Sequence, residues 1–474
     1  MEKQQEMKHY RITALVLLMV ALMGNASAQT VSPVDFMRNN PRNMDANPAF
    51  FTSEQIYFDL ALGGINFHLQ NIGFKYDNFF RFNEAGKPVA IELTRGVESL
   101  RDINYLNTYL NIDVFRGGLR TKHGFFTYCH RIREMESLMY NKDLVSLVTQ
   151  GNSTFMGEDH PAHLNFGLSA RVYQEFNFGY QMCLTEKLNI GARVKLLMGL
   201  ADAKFNENNS KLITDPETYA ITATGSFDLR ATLPYQLNMD DGSIVDGRFD
   251  VANLFKNYGA GLDLGAEYKI NDQFGVAASI NDLGYIKWNN YSARLSSSMN
   301  DEGPMCHDGA FVFDGLTSEQ INGFMDGSYT LGQFLDTLSS NFNVGLEAVD
   351  HYTTGLNTTV RVMGYYDLNS QNRFSVQFMG YDSGLGFKPA LTLAYTGSFV
   401  DLYDVVATYT MMPGSFANLG LGLSGNFDGI VIYAASNNVF GFVNPANISN
   451  VNLQFGISFA LGKQKARSER VVMQ

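Results

Sequence analysis

The chain has few charged residues, few prolines and only three cysteines among its 474 residues. Charged side chains make up 17% of it, against about 25% in an average soluble domain. Cys129, Cys183 and Cys306 are widely spaced, so they predict neither a disulfide framework nor a zinc site. There are 11 prolines and no proline- and serine-rich linker at which a chain of this length would divide. We therefore expect a single large domain.

An excess of basic residues is also missing. The formal net charge is −12, and binding to nucleic acid needs clustered lysine and arginine, so nucleic acid is excluded as a partner. The sequence has no G-x-S-x-G or H-E-x-x-H motif, and the glycine-rich run 420–425 lies within an alternating segment, where no helix follows it. The acidic stretch 238–250 lacks the spacing of an EF-hand. We predict a protein that is not an enzyme and binds no metal or cofactor.

Long hydrophobic runs are confined to the N-terminus, where residues 1–28 have the pattern of a signal peptide. Basic residues between Lys3 and Arg11 precede an apolar core at 12–23, and the small residues 26–28 form a cleavage site. The core is too short for a membrane-spanning helix, which needs about 20 residues. We predict an exported chain that begins near Gln29 and has no spanning helix.

What the mature chain does have is alternation of apolar and polar residues. Between Tyr258 and Ile270 every second residue is apolar or small, and the residues between them are glycine or charged. The same pattern fills 176–184 and 188–198, on either side of the polar turn 185–187. Side chains on a strand point to alternate faces, so these segments have one apolar face and one polar face.

Alternation in an exported chain favours an outer-membrane β-barrel. In hydrocarbon every backbone group must be paired, which a sheet achieves only by closing, and the segments have the length of about 9–11 residues that a spanning strand needs. A secreted soluble β-sandwich would alternate as well, but it fits strands of this length less well. We predict an all-β fold, a single antiparallel transmembrane barrel of about 14 strands, with 12 to 18 as the range.

The predicted barrel occupies 54–462, between a luminal, hatch-like segment at 29–53 and a basic periplasmic tail at 463–474. Short links such as 185–187 and 271–273 are expected at the periplasmic side. Glu134 to Gln150 has apolar residues at helical spacing, which predicts a plug, lid or rim helix. Three longer polar stretches are expected to be extracellular loops: 201–218, 232–250 and 289–341.

Five charged residues fall on the polar face of the predicted strands and are expected to point into the lumen. In a water-filled lumen they can pair with one another, and they can also line a permeation path; the sequence favours pairing. These candidate lumen-lining residues are Arg193, Lys195, Asp263, Glu267 and Arg361.

Asn47, Pro48 and Ala49 form a second candidate site. Pro48 fixes its own φ and biases Asn47 away from helix, so these residues predict a turn, either from the lumen into the first strand or an ordinary turn before a strand. With the preceding run 40–44, they resemble the N-terminal Asn-Pro-Ala motif of FadL-type long-chain fatty-acid transporters and of related Bacteroidetes barrels, among them the PorV-type proteins of type IX secretion.

Further strings resemble an uncharacterised Bacteroidetes outer-membrane family that is known only as a domain of unknown function. They are 191–195 followed by Gly199, 282–288, and 444–446. The resemblance implies a FadL-like or PorV-like barrel in the outer membrane, whose N-terminal segment enters the lumen. It implies passive uptake or binding of a small hydrophobic ligand; the alternative is a structural or adaptor barrel for the secretion and attachment of surface proteins. The expected partners are outer-membrane lipid, a hydrophobic small molecule, and surface or secretion proteins.

Overall fold

The structure is a computed structural model that describes residues 31–50, 54–59, 63–84, 88–219, 221–239, 255–299, 344–400, 402–442 and 449–463, with positions 245 and 323. Several sequence predictions fall outside these residues. They are the signal peptide, most of the acidic stretch, Cys306, the string at 444–446 and the tail beyond residue 463.

The described chain is mostly β-strand, and twenty of its strands pair in one sheet. The strands are β1 (Glu54–Asp59), β2 (Gly64–Ile72), β3 (Phe80–Phe82), β4 (Pro88–Ile91), β5 (Ile103–Arg120), β6 (Phe125–Asn141), β7 (Ala162–His163), β8 (Phe166–Cys183), β9 (Leu188–Thr214), β10 (Ile221–Thr232), β11 (Tyr258–Lys269), β12 (Phe274–Trp288), β13 (Ser292–Met299), β14 (Val344–Ala348), β15 (Tyr352–Gly355), β16 (Thr359–Asp367), β17 (Asn372–Asp382), β18 (Phe387–Phe399), β19 (Tyr403–Met412), β20 (Ser415–Phe427), β21 (Ile430–Ser436) and β22 (Asn450–Lys463).

The sheet closes into a barrel of 14 antiparallel strands, as predicted. β1 and β2 together make the first strand of the wall, because both pair with β5 on one side and with β22 on the other. β15 and β16 likewise follow one another along β12. The pairing of β22 with β1 and β2 completes the ring, so the wall has no open edge and meets the demand that hydrocarbon places on a sheet.

The two ends of the barrel differ. At one end, which we call the turn end, neighbouring strands are joined by connections of no more than four residues, including the predicted turns 185–187 and 271–273. At the other end, the loop end, most connections are longer. These carry the helices Tyr76–Phe79, Leu93–Glu98 and Lys142–Gln150 and the 3-10 turn Val439–Phe442. No helix among the described residues is both long and apolar enough to cross a membrane.

The prediction of a loop at 201–218 is wrong, because strand β9 continues to Thr214. The loop-end part of β9 pairs with β10. β10 pairs in turn with β13, and β13 pairs with β14, so a sheet extends from the wall at the loop end. β13 also occupies the start of the predicted loop at 289–341. Hydropathy does not reveal this extension, because strands that leave the apolar band have no need of an apolar face.

The prediction of a helix at 134–150 is wrong for its first half and confirmed for its second half. Residues up to Asn141 belong to β6, which is paired along its length with β5 and β8, and only Lys142–Gln150 is helical. The helix begins where the Asn141 side chain accepts a hydrogen bond from the backbone N–H of Leu144 at 3.3 Å. Backbone pairing with a neighbouring strand on each side keeps these residues of β6 extended, although the spacing of their apolar side chains is that of a helix.

The outer face of the wall is apolar, whereas the inner face carries buried polar and charged side chains together with buried apolar clusters. Large hydrophobic side chains are exposed on strand after strand around the outside, for example Val194, Leu196, Val362, Val376 and Leu423. Residues between them on the same strands, such as Arg193, Lys195, Arg361 and Gln377, are buried. A soluble β-sandwich would not expose large apolar side chains on strand after strand while it buries charged ones. This is the distribution of a barrel that faces lipid.

Candidate functional site

Residues 31–50, which we call the plug segment, cross the lumen in its turn-end half. The segment is built from two 3-10 turns, Pro33–Phe36 and Pro41–Asp45, each with a proline at its start. The side chains of Ser32 and Asn40 cap these turns. Proline suits the first position of a helical turn because its missing N–H would be unpaired there anyway. The sequence therefore stiffens the plug locally.

Polar contacts tie the plug segment to strands around the barrel. Thr396 of β18 donates to the carbonyl of Phe36 at 3.1 Å, and the backbone N–H of Asn39 donates to Asp404 of β19 at 2.6 Å. Asn40 donates to Ser424 of β20 at 3.1 Å. These partners belong to the neighbouring strands β18, β19 and β20, so the first part of the plug segment is anchored to one side of the wall.

The predicted turn at Asn47, Pro48 and Ala49 lies inside the barrel and docks on the opposite wall. The Asn47 amide donates to the carbonyls of Ala266 and Ala278, both at 3.1 Å, and its oxygen accepts from the N–H of Ala49 at 2.8 Å. Gln181 of β8 donates to the Ala49 carbonyl at 2.9 Å. The turn is thus anchored to β8, β11 and β12.

Ion pairs reinforce the plug. Arg42 lies between Asp59 of β1 and Asp113 of β5, with an Nη1–Oδ2 distance of 2.5 Å to Asp113. The Asp45 carboxylate forms ion pairs with three arginines of the wall: Arg116 Nη2 at 2.5 Å, Arg131 Nη2 at 3.3 Å and Arg193 Nη1 at 3.6 Å.

A second group of charged residues lies on the loop-end side of the plug segment and is centred on Asp282. Its carboxylate contacts Lys195 Nζ at 2.6 Å and Arg133 Nη1 at 2.7 Å, and its backbone N–H donates to Asp263 at 2.7 Å. Asp282 has a φ of +60°, a left-handed conformation that aspartate tolerates better than most residues. The register between β11 and β12 shifts here. Because of this bulge, the side chain of Asp282 points inward, whereas strict alternation would point it to the outside.

Together the two groups form one charge network that is balanced in number. Every cation in it lies within 4.0 Å of at least one carboxylate of the set. A buried ion left without its partner costs about 3–5 kcal/mol, so the network holds the plug and the wall in one arrangement. The six cations are Arg42, Arg116, Arg131, Arg133, Arg193 and Lys195, and the six anions are Asp45, Asp59, Asp113, Glu175, Asp263 and Asp282.

The structure brings together three of the five charged residues predicted to face the lumen. Lys195 contacts Asp263 at 2.8 Å, and Arg193 lies 3.5 Å from the same carboxylate. Glu267 instead accepts hydrogen bonds from Asn189 at 2.7 Å and from Tyr365 at 2.9 Å. Arg361 points inward but belongs to no ion pair among the described residues.

The space left in the lumen is small and polar. A central cavity of about 80 Å³ is lined by charged residues of the plug and the wall, including Asp35, Arg131, Asp282 and Arg361. A second cavity of about 30 Å³ lies toward the turn end, and Asp35 lines both. One water needs about 10–15 Å³ measured in this way, so these cavities have room for a few waters.

An apolar pocket of about 100 Å³ lies at the loop end, between the loop-end parts of β2 and β5 on one side and those of β17, β18 and β19 on the other. Lys388 lies at this mouth pocket, with its ammonium 3.6 Å from the centre of the Tyr105 ring. Gln70 donates to the Met412 sulfur at 3.1 Å. The apolar lining residues are Ile72, Ile103, Tyr105, Met379, Tyr381, Pro389, Ala390, Met412 and Pro413.

No group of His, Cys, Asp and Glu residues suited to a metal ion occurs in the described part of the chain. Sequence reasoning did miss several members of the charge network, notably Asp45, Arg133 and Asp282. One signal was present in the sequence. Arg131 and Arg133 lie at odd positions of β6 and so share one face of the strand with Cys129, whereas the apolar Tyr128 and Ile132 lie on the other face. Alternation could therefore have assigned both arginines to the lumen.

Gly191 tests the docking of the plug. A Cβ at this position would collide with the backbone carbonyl of Pro48, so we expect Gly191→Ala to push the turn off the wall and destabilise the protein by about 1–3 kcal/mol. Limited proteolysis should then cut the plug segment faster. In the control Gly364→Ala, where a Cβ meets nothing within 4 Å, the cleavage rate should stay at that of the natural chain. Equal rates in both variants would contradict the assigned contact.

Solved structures that resemble this chain are barrels at low identity. The Ralstonia pickettii toluene transporter TbuX is 9% identical with a TM-score of 0.45, covering 93% of this chain and 100% of that chain. The Pseudomonas putida toluene transporter TodX is 9% identical with a TM-score of 0.40, covering 91% and 97%. A Pseudomonas aeruginosa FadL homologue is 10% identical with a TM-score of 0.40, covering 92% and 99%. The likeness concerns barrel architecture, at identities too low to carry over a ligand.

No curated protein matches the sequence. The profile of a family of unknown function, DUF5723, matches residues 48–437, which is most of the chain. The predicted resemblance to a family of unknown function is thereby confirmed, whereas the resemblance to secretion barrels stays a prediction. The matched range includes the charged strands β5 to β12 and the strands of the mouth pocket. The chain belongs to the DUF5723 family of unknown function.

Proposed function

We propose that this protein is an outer-membrane barrel that binds a small hydrophobic ligand at its loop end, as the first step of uptake. The closed wall with its apolar outside supports a position in lipid. The short turns at one end support a periplasmic assignment for that end, since barrels of this class have short periplasmic turns and longer extracellular loops. The mouth pocket then opens toward the outside of the cell.

The mouth pocket is the observation that carries the ligand class. It is the apolar cavity at the entrance, whereas the cavities deeper in the lumen are small and lined by charge. Binding pockets for small molecules are typically apolar with a few placed polar groups, and here Lys388 and Gln70 supply those groups. A cavity of about 150 Å³ holds one benzene, so this pocket of about 100 Å³ would take one aromatic ring only with part of the ring left in the open mouth of the barrel.

The plug sets a condition on uptake. With residues 31–50 in place, the two cavities that the plug segment lines are small, about 80 Å³ and about 30 Å³. Transit through the lumen would therefore require the plug segment to move, which means separating the ion pairs of Arg42 and Asp45 from the wall. The adaptor role that was the alternative gains no support from the family match or from the similar structures.

Filling the mouth pocket tests the proposal. Ala390 is buried on the inner face at the pocket, so Ala390→Phe should occupy the ligand volume and weaken binding by at least about tenfold. The matched control is Ala407→Phe, because Ala407 lies on the outer face of β19 between exposed hydrophobic residues. The ¹⁹F NMR signal of fluorobenzene, titrated into protein in lipid nanodiscs and into empty nanodiscs, measures the binding.

The expected result is saturable fluorobenzene binding to the natural chain and to Ala407→Phe, and its loss in Ala390→Phe. Heat-dependent mobility on SDS gels shows whether each variant is folded. Binding that is no greater than in empty nanodiscs, or that survives in folded Ala390→Phe, would overturn the assignment of the mouth pocket.

A further inference from the structure

Arg361 differs from the other buried cations of the lumen. It lies on β16 with its side chain on the inner face, and it is 7% exposed. Its Nε and Nη1 atoms are buried and have no hydrogen-bond partner. The six cations of the charge network all contact carboxylates, but none of the ion pairs formed by described residues includes Arg361.

No described acceptor lies within hydrogen-bond distance of Arg361 Nε or Nη1. The six carboxylates of the charge network are engaged by its six cations. Asp35 faces the same central cavity and interacts electrostatically with Arg361, but it accepts the backbone N–H of Ser32 at 3.3 Å and makes no contact with the guanidinium within 4.0 Å. A buried donor without an acceptor is destabilising, and more so when it is charged. Two N–H groups of the Arg361 guanidinium therefore face the cavity without an acceptor among the described residues.

The geometry points to a small monovalent anion, of the size of chloride, bound by Arg361 in the central cavity. The cavity of about 80 Å³ has room for such an ion with a few waters. A guanidinium forms strong, charge-assisted hydrogen bonds to anions. Asp35 lines the cavity with Arg361 and interacts with it electrostatically, so Asp35 opposes anion binding and limits the affinity.

Two substitutions with opposite expected effects test the site. Arg361→Gln removes the positive charge and keeps a polar side chain, and it should weaken chloride binding by at least about tenfold. Asp35→Asn removes the opposing charge and should strengthen binding. Arg294→Gln is the control, because Arg294 pairs with Asp228 and Glu347 on the sheet extension outside the lumen. The ³⁵Cl NMR linewidth of chloride, measured with protein in a non-ionic detergent, reports the bound fraction.

The natural chain and Arg294→Gln should broaden the ³⁵Cl line in a saturable manner. Unchanged broadening in folded Arg361→Gln, or weaker binding in folded Asp35→Asn, would overturn the proposal and leave water as the partner of the guanidinium. Nitrate should displace chloride from the natural chain, whereas the larger sulfate should not. These outcomes are independent of the mouth pocket, so a failure of fluorobenzene binding and a failure of chloride binding are separate results.

Discussion

Deletion of residues 31–50 should open a continuous aqueous pore through the barrel. Barrels of about 8 strands are filled by their own side chains, whereas those of about 16–18 strands enclose water. A wall of 14 strands lies between these limits, so its lumen is closed only where something fills it. The structure shows that the plug segment is what fills the turn-end half.

The deletion is also balanced in charge. It removes Arg42 and Asp45 from the charge network, and Asp35 and Arg38 from the rest of the plug. The wall then retains five cations and five anions of the network, which still contact one another, for example Lys195 with Asp282 and Arg131 with Asp113. We therefore expect the barrel to fold without its plug and to conduct with little preference between small cations and anions.

Planar bilayer recordings measure this outcome. The truncated protein should give large, long-lived conductance steps, and the full chain should give none of that size. Asp45→Asn is a graded variant, because it keeps the plug but removes the contact shared by Arg116, Arg131 and Arg193. It should give brief openings. If the truncated barrel conducts no better than the full chain, the plug segment is not the barrier.

The fold could be read from the sequence because its physical cause is repeated along the chain. A closed wall between lipid and water forces alternation on every strand, and segments such as Tyr258–Ile270 show it without interruption. The hairpins around 185–187 and 271–273 followed from the same pattern. The turn at Asn47, Pro48 and Ala49 was recognisable because proline and asparagine act on the local backbone.

The charge network was less predictable, for two reasons. Its pairs join residues far apart in the chain, as with Arg133 and Asp282, which are separated by 149 positions. In addition, bulges reverse the alternation just where the network is built. Phe274 to Ile280 point outward at even positions, so alternation alone would place Asp282 on the lipid side. The register shift after Asp113 likewise brings Arg116 inward at an even position.

The bulge at Asp282 leads to the second large expected effect. Asp282→Asn should lower the free energy of unfolding by about 3 kcal/mol, because six buried cations would then face five carboxylates. Asparagine also tolerates a positive φ, so this substitution removes the charge while it preserves the backbone. The loss should therefore report the ion pairs with Arg133 and Lys195 and not a strained bulge.

The matched control is Glu347→Gln on the sheet extension. Glu347 pairs with Arg294 at 3.0 Å, but both side chains are more than one-third exposed, and exposed pairs contribute about 0–1 kcal/mol. Urea unfolding of each variant in lipid vesicles measures the difference. A loss in Asp282→Asn as small as that in Glu347→Gln would mean that water in the central cavity compensates Lys195 and Arg133. The charge network would then position the plug segment without contributing to the stability of the wall.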